Sequence, residues 1–308
     1  MRTSRILLVL ISLVGFSSVA VAQSAAGVSS SADTSLSPSF ASLVDAAVNA
    51  PTERLHQRAY AAMLGQAERY FNELATTAAD VNASADARTL AVWVLGERGG
   101  ADACLRAAQV AGNTEDPVLR LAIATARGRC GDMARLRSLV ESGREDPELR
   151  ARAAATLGVL DDRPSLNAIR ALGDSLEEGE LRDMTLVARG MLRDASVLED
   201  LKRLLSDRAM HIHAAIGLAR LGADYVVFDL QAAALSHESM LRLAAAQLMQ
   251  QRRMPGACDV LGGLLNDPDT RVAATAAGAL DAWENAAWEQ WRRDGFAMEH
   301  FSEQAYCP

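Results

Sequence analysis

The histidines of this 308-residue chain are the first candidates for chemistry, because imidazole serves both acid–base catalysis and metal binding. His211 and His213 stand two residues apart in a segment with a helical pattern. On a helix, residues two apart point about 200° away from each other, so these two cannot bind one ion without help. His237 precedes Glu238, but one imidazole and one carboxylate cannot fill a two-metal site. The sequence therefore predicts no metal site and no cofactor.

Motifs for other kinds of catalysis are also missing from the sequence. The chain has no glycine-rich phosphate loop after a strand, no nucleophile elbow and no Cys-x-x-Cys pair. A Ser-His-Asp triad assembled in space from the scattered histidines stays open, because sequence spacing does not reveal such a site. The expectation is that the chain is not an enzyme.

The four cysteines are an even number, which suits disulfide bonds in an exported chain. Cys104 falls early in one predicted helix, and Cys130 falls at the end of a helix in the next repeat. Cys258 holds the same repeat position as Cys104, and Cys307 could fold back onto it. We expect the pairs Cys104–Cys130 and Cys258–Cys307. The alternative is that Cys104 and Cys258 are small core residues, since Leu or Val fills that position elsewhere.

The beginning of the chain predicts export. Residues 1–22 combine a basic start, an apolar run too short to span a bilayer comfortably, and a small-x-small cleavage site, with cleavage after Ala22. Residues 23–38 are rich in Ser and Ala and have no apolar period, as in a flexible linker. No later segment offers a long uninterrupted apolar run. We expect a periplasmic or secreted protein without stable membrane insertion after the signal is removed.

Helices must position all of these residues, and the helices are repeated. An anchor position, Arg in six units and His in one, recurs every 29 to 32 residues at Arg88, Arg120, Arg150, Arg182, His211, Arg242 and Arg271. Two antiparallel helices and two short turns fill such a period. Small residues dominate eight positions after the anchor, and an apolar i, i+3 pair marks the second helix of each unit. This pattern predicts a repeat array over 81–283.

Several units also carry Asp-Pro four residues before the anchor, where Asp is an N-cap and Pro takes the first helical position. Three Asp/Arg pairs share this spacing: Asp116/Arg120, Asp146/Arg150 and Asp267/Arg271. The combination closely resembles the HEAT-repeat family in its short bacterial form. The resemblance implies an all-α, armadillo-like α-solenoid, a right-handed superhelix of about seven antiparallel helix pairs. It also implies an Asp–Arg ladder between units and second helices that line a concave binding surface, and it implies no particular ligand.

The segments on either side of the repeats have different compositions. Residues 39–80 match the repeats poorly and suit an N-terminal helical cap. Residues 284–308 follow Trp283 and are rich in aromatic side chains, including Trp288 and Trp291. We expect them to cap the other end of the solenoid; the alternative is an exposed docking tail.

Basic residues on the second helices suggest a binding patch on the expected concave face. They are Arg106, Arg137, Arg170, Lys202 and Arg203. Because the chain carries a net charge of −8, such a patch could attract an acidic peptide, whereas a nucleic-acid partner is disfavoured. The alternative is an ordinary solvated helix face.

Function is expected to follow from the solenoid. Helical-repeat di-iron hydroxylases carry several His-Glu dipeptides, but this chain has one, so that enzyme class is rejected. We expect a non-catalytic protein-binding scaffold or assembly factor of the cell envelope that binds an unidentified protein or peptide through its concave face. The alternative is an accessory subunit of an envelope enzyme system.

Overall fold

The computed structural model describes residues 39–50, 53–110, 114–252, 254 and 256–293. The described residues form sixteen α-helices and no strand. None of these helices is long and apolar enough to cross a membrane. The predicted signal peptide, the linker at 23–38 and Cys307 lie outside the described residues, so the statements about them remain predictions.

Three helices precede the repeats: α1 (Phe40–Val48), α2 (Glu53–Gly65) and α3 (Phe71–Ala79). The Ser39 side chain caps α1 by accepting a hydrogen bond from the Ser42 amide. Leu43, Met63 and Leu74 are buried in one apolar cluster with side chains of the first two repeats. The three helices thus cover the N-terminal end of the repeat core.

The repeats are helix pairs followed by one long helix. The first helices are α4 (Ala85–Arg98), α6 (Pro117–Arg129), α8 (Pro147–Val159), α10 (Glu180–Met191), α12 (His211–Arg220) and α14 (Ser239–Arg252). The second helices are α5 (Gly100–Gln109), α7 (Ala134–Glu141), α9 (Leu166–Ser175), α11 (Leu198–Leu204), α13 (Val227–Ala234) and α15 (Ala257–Leu264). The last helix is α16 (Thr270–Arg293). The predicted all-α helical-repeat solenoid is confirmed.

Capping explains where the first helices begin. Asp116 accepts a hydrogen bond from the Leu119 amide at 2.8 Å, and Pro117 takes the first helical position. Asp146 does the same for the Glu148 amide, also at 2.8 Å. Because these carboxylates already accept the capping hydrogen bonds, the arginines of the predicted Asp–Arg ladder bind other partners.

The predicted ladder is corrected in detail. Arg120 pairs with Glu145 of the next unit at 2.6 Å, and Arg150 donates to a backbone carbonyl. Arg271 pairs with Asp269, two residues before it. Arg242 does reach the turn Asp of the next unit, Asp267, and binds it through two nitrogens at 2.6 and 2.8 Å.

The first helices, and not the second, face the inside of the superhelix, which corrects the expectation from the family resemblance. Consecutive first helices pack closely, whereas consecutive second helices make fewer contacts. The small residues of the first helices permit this approach: a Cβ on Gly158 would lie 2.7 Å from the Cα of Ala188. Exposed residues occur only at the ends of α4, α6, α8, α10, α12 and α14. Within the described residues, the inner side of these helices is therefore filled by packed side chains.

Candidate functional site: the seam between the two ends of the array

The tight coiling brings the two ends of the array into contact. We call this contact the seam, between α4 and α6 on one side and the beginnings of α14 and α16 on the other. The Ser239 amide donates to Glu97 Oε2 at 3.2 Å, and Arg271 Nη1 donates to the Arg129 carbonyl at 2.8 Å. Each of these bonds joins residues 142 positions apart in the chain.

A buried ion pair lies at the centre of the seam. Arg129 Nη2 donates to Glu97 Oε1, and their side chains are only 2% and 5% exposed. Burial by itself would lower the pKa of the Arg129 guanidinium, but the charge of Glu97 and the hydrogen bond to it raise that pKa above its ordinary value. The Arg129 guanidinium is therefore charged at every physiological pH.

A second acidic side chain, Glu238, faces the same pair without any ion-pair partner of its own. Burial, followed by the negative charge of Glu97, raises the pKa of Glu238 to about 8. The same two causes raise the pKa of the Tyr60 hydroxyl, in the same order. Glu238 is consequently mostly protonated at neutral pH, whereas Glu97 hydrogen-bonds to Arg129 and Asp269 also stabilises the Arg129 charge.

Several polar atoms at the seam lack hydrogen bonds. Within the described residues, Arg129 Nε and Nη1, Trp93 Nε1 and Ser239 Oγ are buried and have no partner. The Arg129 guanidinium lies 5.6 Å from the centre of the Trp93 ring, which offsets part of its desolvation by a cation–π contact. Each unsatisfied buried donor nevertheless costs about 1–3 kcal/mol. These unsatisfied donors therefore reduce the free energy that is gained when the seam closes.

Two further ion pairs flank the centre of the seam. Arg242 grips Asp267 as described above, and it also donates to the carbonyls of Ser236 and His237 at 2.9 Å. Arg271 binds Asp269 through Nε at 3.0 Å and Nη2 at 2.6 Å. These pairs fix the turns from which Glu238, Ser239 and Arg271 reach the N-terminal repeats.

The sequence did not single out Glu97, Arg129 or Trp93. Glu97 and Arg129 could have been noticed from their position, because each is a charged residue near the end of a first helix, nine residues after the anchor. Equivalent positions in the next two units are Val159 and Met191. Sequence spacing could not reveal their partners across the seam, Ser239 and Arg271, because these belong to units almost five repeats away.

The histidines and acids do not form a metal site in the described part of the chain, where no group of three or more His, Cys, Asp or Glu side chains is suitably placed. His211 contacts Asp229 through Nε2 at 2.7 Å. His213 is buried, and burial lowers its pKa to about 4. The two point to different surroundings, as expected for residues two apart on a helix, and His237 is exposed.

The five basic residues predicted to line a concave face lie on the second helices, and hence on the outer side of the superhelix. Four of them pair with a carboxylate: Arg137 with Asp162, Arg170 with Asp194, Lys202 with Glu199 and Arg203 with Asp183. The fifth, Arg106, donates to Gln109 at 3.4 Å. These residues lie outside and not inside because of the direction of curvature. Small residues on the first helices let those helices pack closely, which places the second helices on the outer side.

The structure joins Cys104 and Cys130 by a disulfide with a Cα–Cα distance of 5.5 Å. This is the first of the two expected pairs, and it links α5 to the end of α6. The second pair, Cys258–Cys307, stays a prediction because Cys307 lies outside the described residues.

The outer helices carry a separate feature, an exposed apolar face on α13. Phe228 and Leu235 are each 80% exposed, and Tyr225 just before the helix is 61% exposed. Phe228 and Leu235 are seven residues apart and so lie on the same face, about 10 Å from each other. On the neighbouring α15, Gly262 and Gly263 are exposed and have no other atom near the place where a side chain would begin.

Comparisons with known proteins agree with the fold. No protein-family model and no curated protein matches the chain. Among solved structures, human deoxyhypusine hydroxylase in complex with glycerol is similar over 72% of this chain and 99% of that chain, with 20% identity and a TM-score of 0.34. A chain from the structure of Kap95p binding RanGDP is similar over 85% of this chain, with 15% identity and a TM-score of 0.27. This chain spans 34% of that second chain.

Both similar structures are helical-repeat proteins of the HEAT or armadillo kind. At these levels the likeness concerns the fold alone. The expectation that the chain is not an enzyme is corrected, because a hydroxylase is among the proteins that it resembles. A helical-repeat fold gives no ground for excluding catalysis.

Proposed function

We propose that this chain is a binding scaffold of the cell envelope that holds a partner protein on the outer side of its superhelix. The observation that carries the proposal is the exposed apolar face formed by Phe228 on α13 and Leu235 directly after it, each 80% exposed. Exposed apolar patches commonly mark protein–protein interaction sites, and aromatic side chains are frequent anchors there. The filled inner side leaves the outer helices as the surface on which a partner can dock.

The shape of this surface fits an elongated apolar segment. The side chains of Phe228 and Leu235 protrude on one side. Beside them, the exposed backbone of Gly262 and Gly263 on α15 leaves a shallow surface without side chains. A partner helix can approach closely where side chains are absent. Leu265, which is 43% exposed, extends the apolar character beyond the end of α15.

Charge around the surface indicates a basic partner. Asp259 is exposed on α15, and the Asp224 side chain is 90% exposed although it pairs with Arg252 at 2.9 Å. The whole chain carries a net charge of −8. We therefore expect the partner to present an amphipathic helix with apolar anchors and Lys or Arg at its edges.

The envelope location rests on residues 1–22, whose pattern is that of a secretory signal. The location is checked by cell fractionation, in which the processed protein should leave the cells with periplasmic or secreted markers. Processed protein found only with cytoplasmic markers would contradict this part of the proposal.

The binding surface is tested with a double variant, Phe228→Asp with Leu235→Asp, as bait in envelope extract. The matched control is Leu105→Asp, because Leu105 is 58% exposed on another outer helix, α5. The double variant should lose at least about tenfold of the bound partner, since truncating such anchors costs more than 1 kcal/mol. The control should bind as the wild type does.

Other outcomes of the same experiment contradict the proposal. Equal capture by all three baits would show that α13 does not bind the partner. Dimers of the wild type that the double variant cannot form would show that a second copy of this chain occupies the surface. If the Asp224→Lys variant, which places a positive charge beside the apolar surface, captured more of the partner, the expected basic charge of the partner would be contradicted.

A further inference from the structure

We propose that the seam opens reversibly, so that α4 and α6 separate from α14 and α16 while contacts between neighbouring units persist. This inference is independent of the outer binding surface. It follows from the position of the apolar cores, the unsatisfied polar atoms and the charges at the seam.

The apolar cores stop at the seam. One buried cluster contains side chains from α1 to α4 and from α6, including Leu95 and Ile123. Another extends from α8 and α10 to α16 and includes Leu241 and Val272, but no residue of α4 or α6. Within the described residues, no buried apolar cluster contains side chains from both sides of the seam, so separating the two sides exposes little apolar surface. Separation between neighbouring first helices would instead break an apolar core.

Polar groups at the seam recover hydration when it opens. Arg129 Nε and Nη1, Trp93 Nε1 and Ser239 Oγ gain water as a partner. This gain offsets the loss of the hydrogen bonds that Ser239 and Arg271 make across the seam and of the attraction between Arg129 and Asp269. The Arg129–Glu97 pair lies wholly on the N-terminal side and persists in both forms. The free energies gained and lost when the seam closes are therefore small and of opposite sign, so the open and closed forms can coexist in equilibrium.

Glu238 makes this balance depend on pH. It belongs to the C-terminal side of the seam, and the charged or titratable groups facing it are Glu97, Arg129, Arg242 and Tyr60. In the closed form its pKa is raised to about 8, whereas in the open form it regains water and returns toward the ordinary 4.5. Closing thus takes up a proton between these two values. The closed form is most stable below pH 4.5 and loses stability as the pH rises toward 8. Over this range the equilibrium constant for closing falls about tenfold for each pH unit.

Hydrogen exchange at the Ser239 amide measures this equilibrium directly. Ser239 is the first residue of α14, so its amide has no acceptor within the helix and depends on Glu97 across the seam. The Leu119 amide is the matched control, since its acceptor is the local cap Asp116. The protection factor of Ser239, corrected for intrinsic exchange, should fall about 100-fold from pH 5.5 to pH 7.5. That of Leu119 should stay constant.

The Glu238→Gln variant identifies the group responsible. Gln imitates the protonated acid, so the variant should keep its Ser239 protection over the whole range. Constant Ser239 protection in the wild type would overturn the proposal, as would a decrease that remains in Glu238→Gln. Ser239 exchange that requires as much denaturant as global unfolding would show that the seam opens only when the whole chain unfolds, and it would also overturn the proposal.

Discussion

Two kinds of contact hold this superhelix together, and they differ in chemistry. Between neighbouring units, small residues let first helices meet closely, as Gly158 meets Ala188. Between the two ends, contact is made by backbone groups and the charged side chains of Glu97, Arg129 and Arg271. Contacts of the first kind bury apolar surface and recur in every unit. The seam occurs once and leaves buried donors unsatisfied, so the two kinds should respond differently to perturbation.

Loss of the disulfide should have the largest effect on contacts between neighbouring units. The double variant Cys104→Ala with Cys130→Ala removes a cross-link between residues 26 positions apart. Releasing a loop of that size costs about 3.5 kcal/mol of unfolding free energy in the chain-entropy model. Urea unfolding without reductant measures this loss. Equal midpoints for wild type and variant would show that the cross-link does not form in the native protein.

Overpacking a contact between neighbouring units should cost slightly less. In Gly158→Leu, the new side chain meets the backbone of Ala188 within 2.7 Å and must push α8 away from α10. We expect a loss of about 3 kcal/mol in the free energy of unfolding, measured by denaturant titration.

Gly263→Ala is the control for this experiment. Gly263 lies in α15, and no other atom is near the place where its side chain would begin. Alanine should stabilise the helix by about 1 kcal/mol, because glycine is a poor helix former. If Gly158→Leu were tolerated as well as Gly263→Ala, close packing would not be what holds neighbouring units together.

The smallest change concerns the turns after the first helices. Arg193 has a φ of 67°, whereas the glycines Gly131 and Gly222 occupy equivalent turns with positive φ. Arg193→Gly should stabilise the protein by about 1 kcal/mol, because glycine adopts this conformation without steric strain. Thermal unfolding would detect the increase. The Ser239 protection factor should not change, since the turn lies away from the seam; a parallel change would link the two kinds of contact.

Much of the fold could be predicted from the sequence because it is encoded locally. Asp116 and Asp146 cap helices within three residues of themselves, and the apolar positions of each unit recur at a constant interval. The pairing of Cys104 with Cys130 joins adjacent units and needs no knowledge of the superhelix. The direction of curvature was predicted incorrectly, because it depends on how closely α8 approaches α10 compared with α7 and α9.

The candidate site could not be predicted for a related reason. Glu238 appeared in the sequence only as a residue beside a histidine at a helix start, and Arg129 as one arginine among many. Their significance comes from contacts across the seam, where Ser239 binds Glu97 and Arg271 binds the Arg129 carbonyl, each 142 positions away. No local pattern encodes such a distance, because it is the sum of small rotations over several units.

The sequence by itself thus determined the helices, their caps, their pairing into units and the adjacency of Cys104 and Cys130, because each depends on residues within about one repeat. Only the tertiary structure decided which helices face inward, that the two ends meet, and that Glu97, Arg129 and Glu238 share one buried site. The physical reason is that curvature accumulates from unit to unit. A small difference in packing at each junction determines whether the array stays open or closes on a cluster of charges.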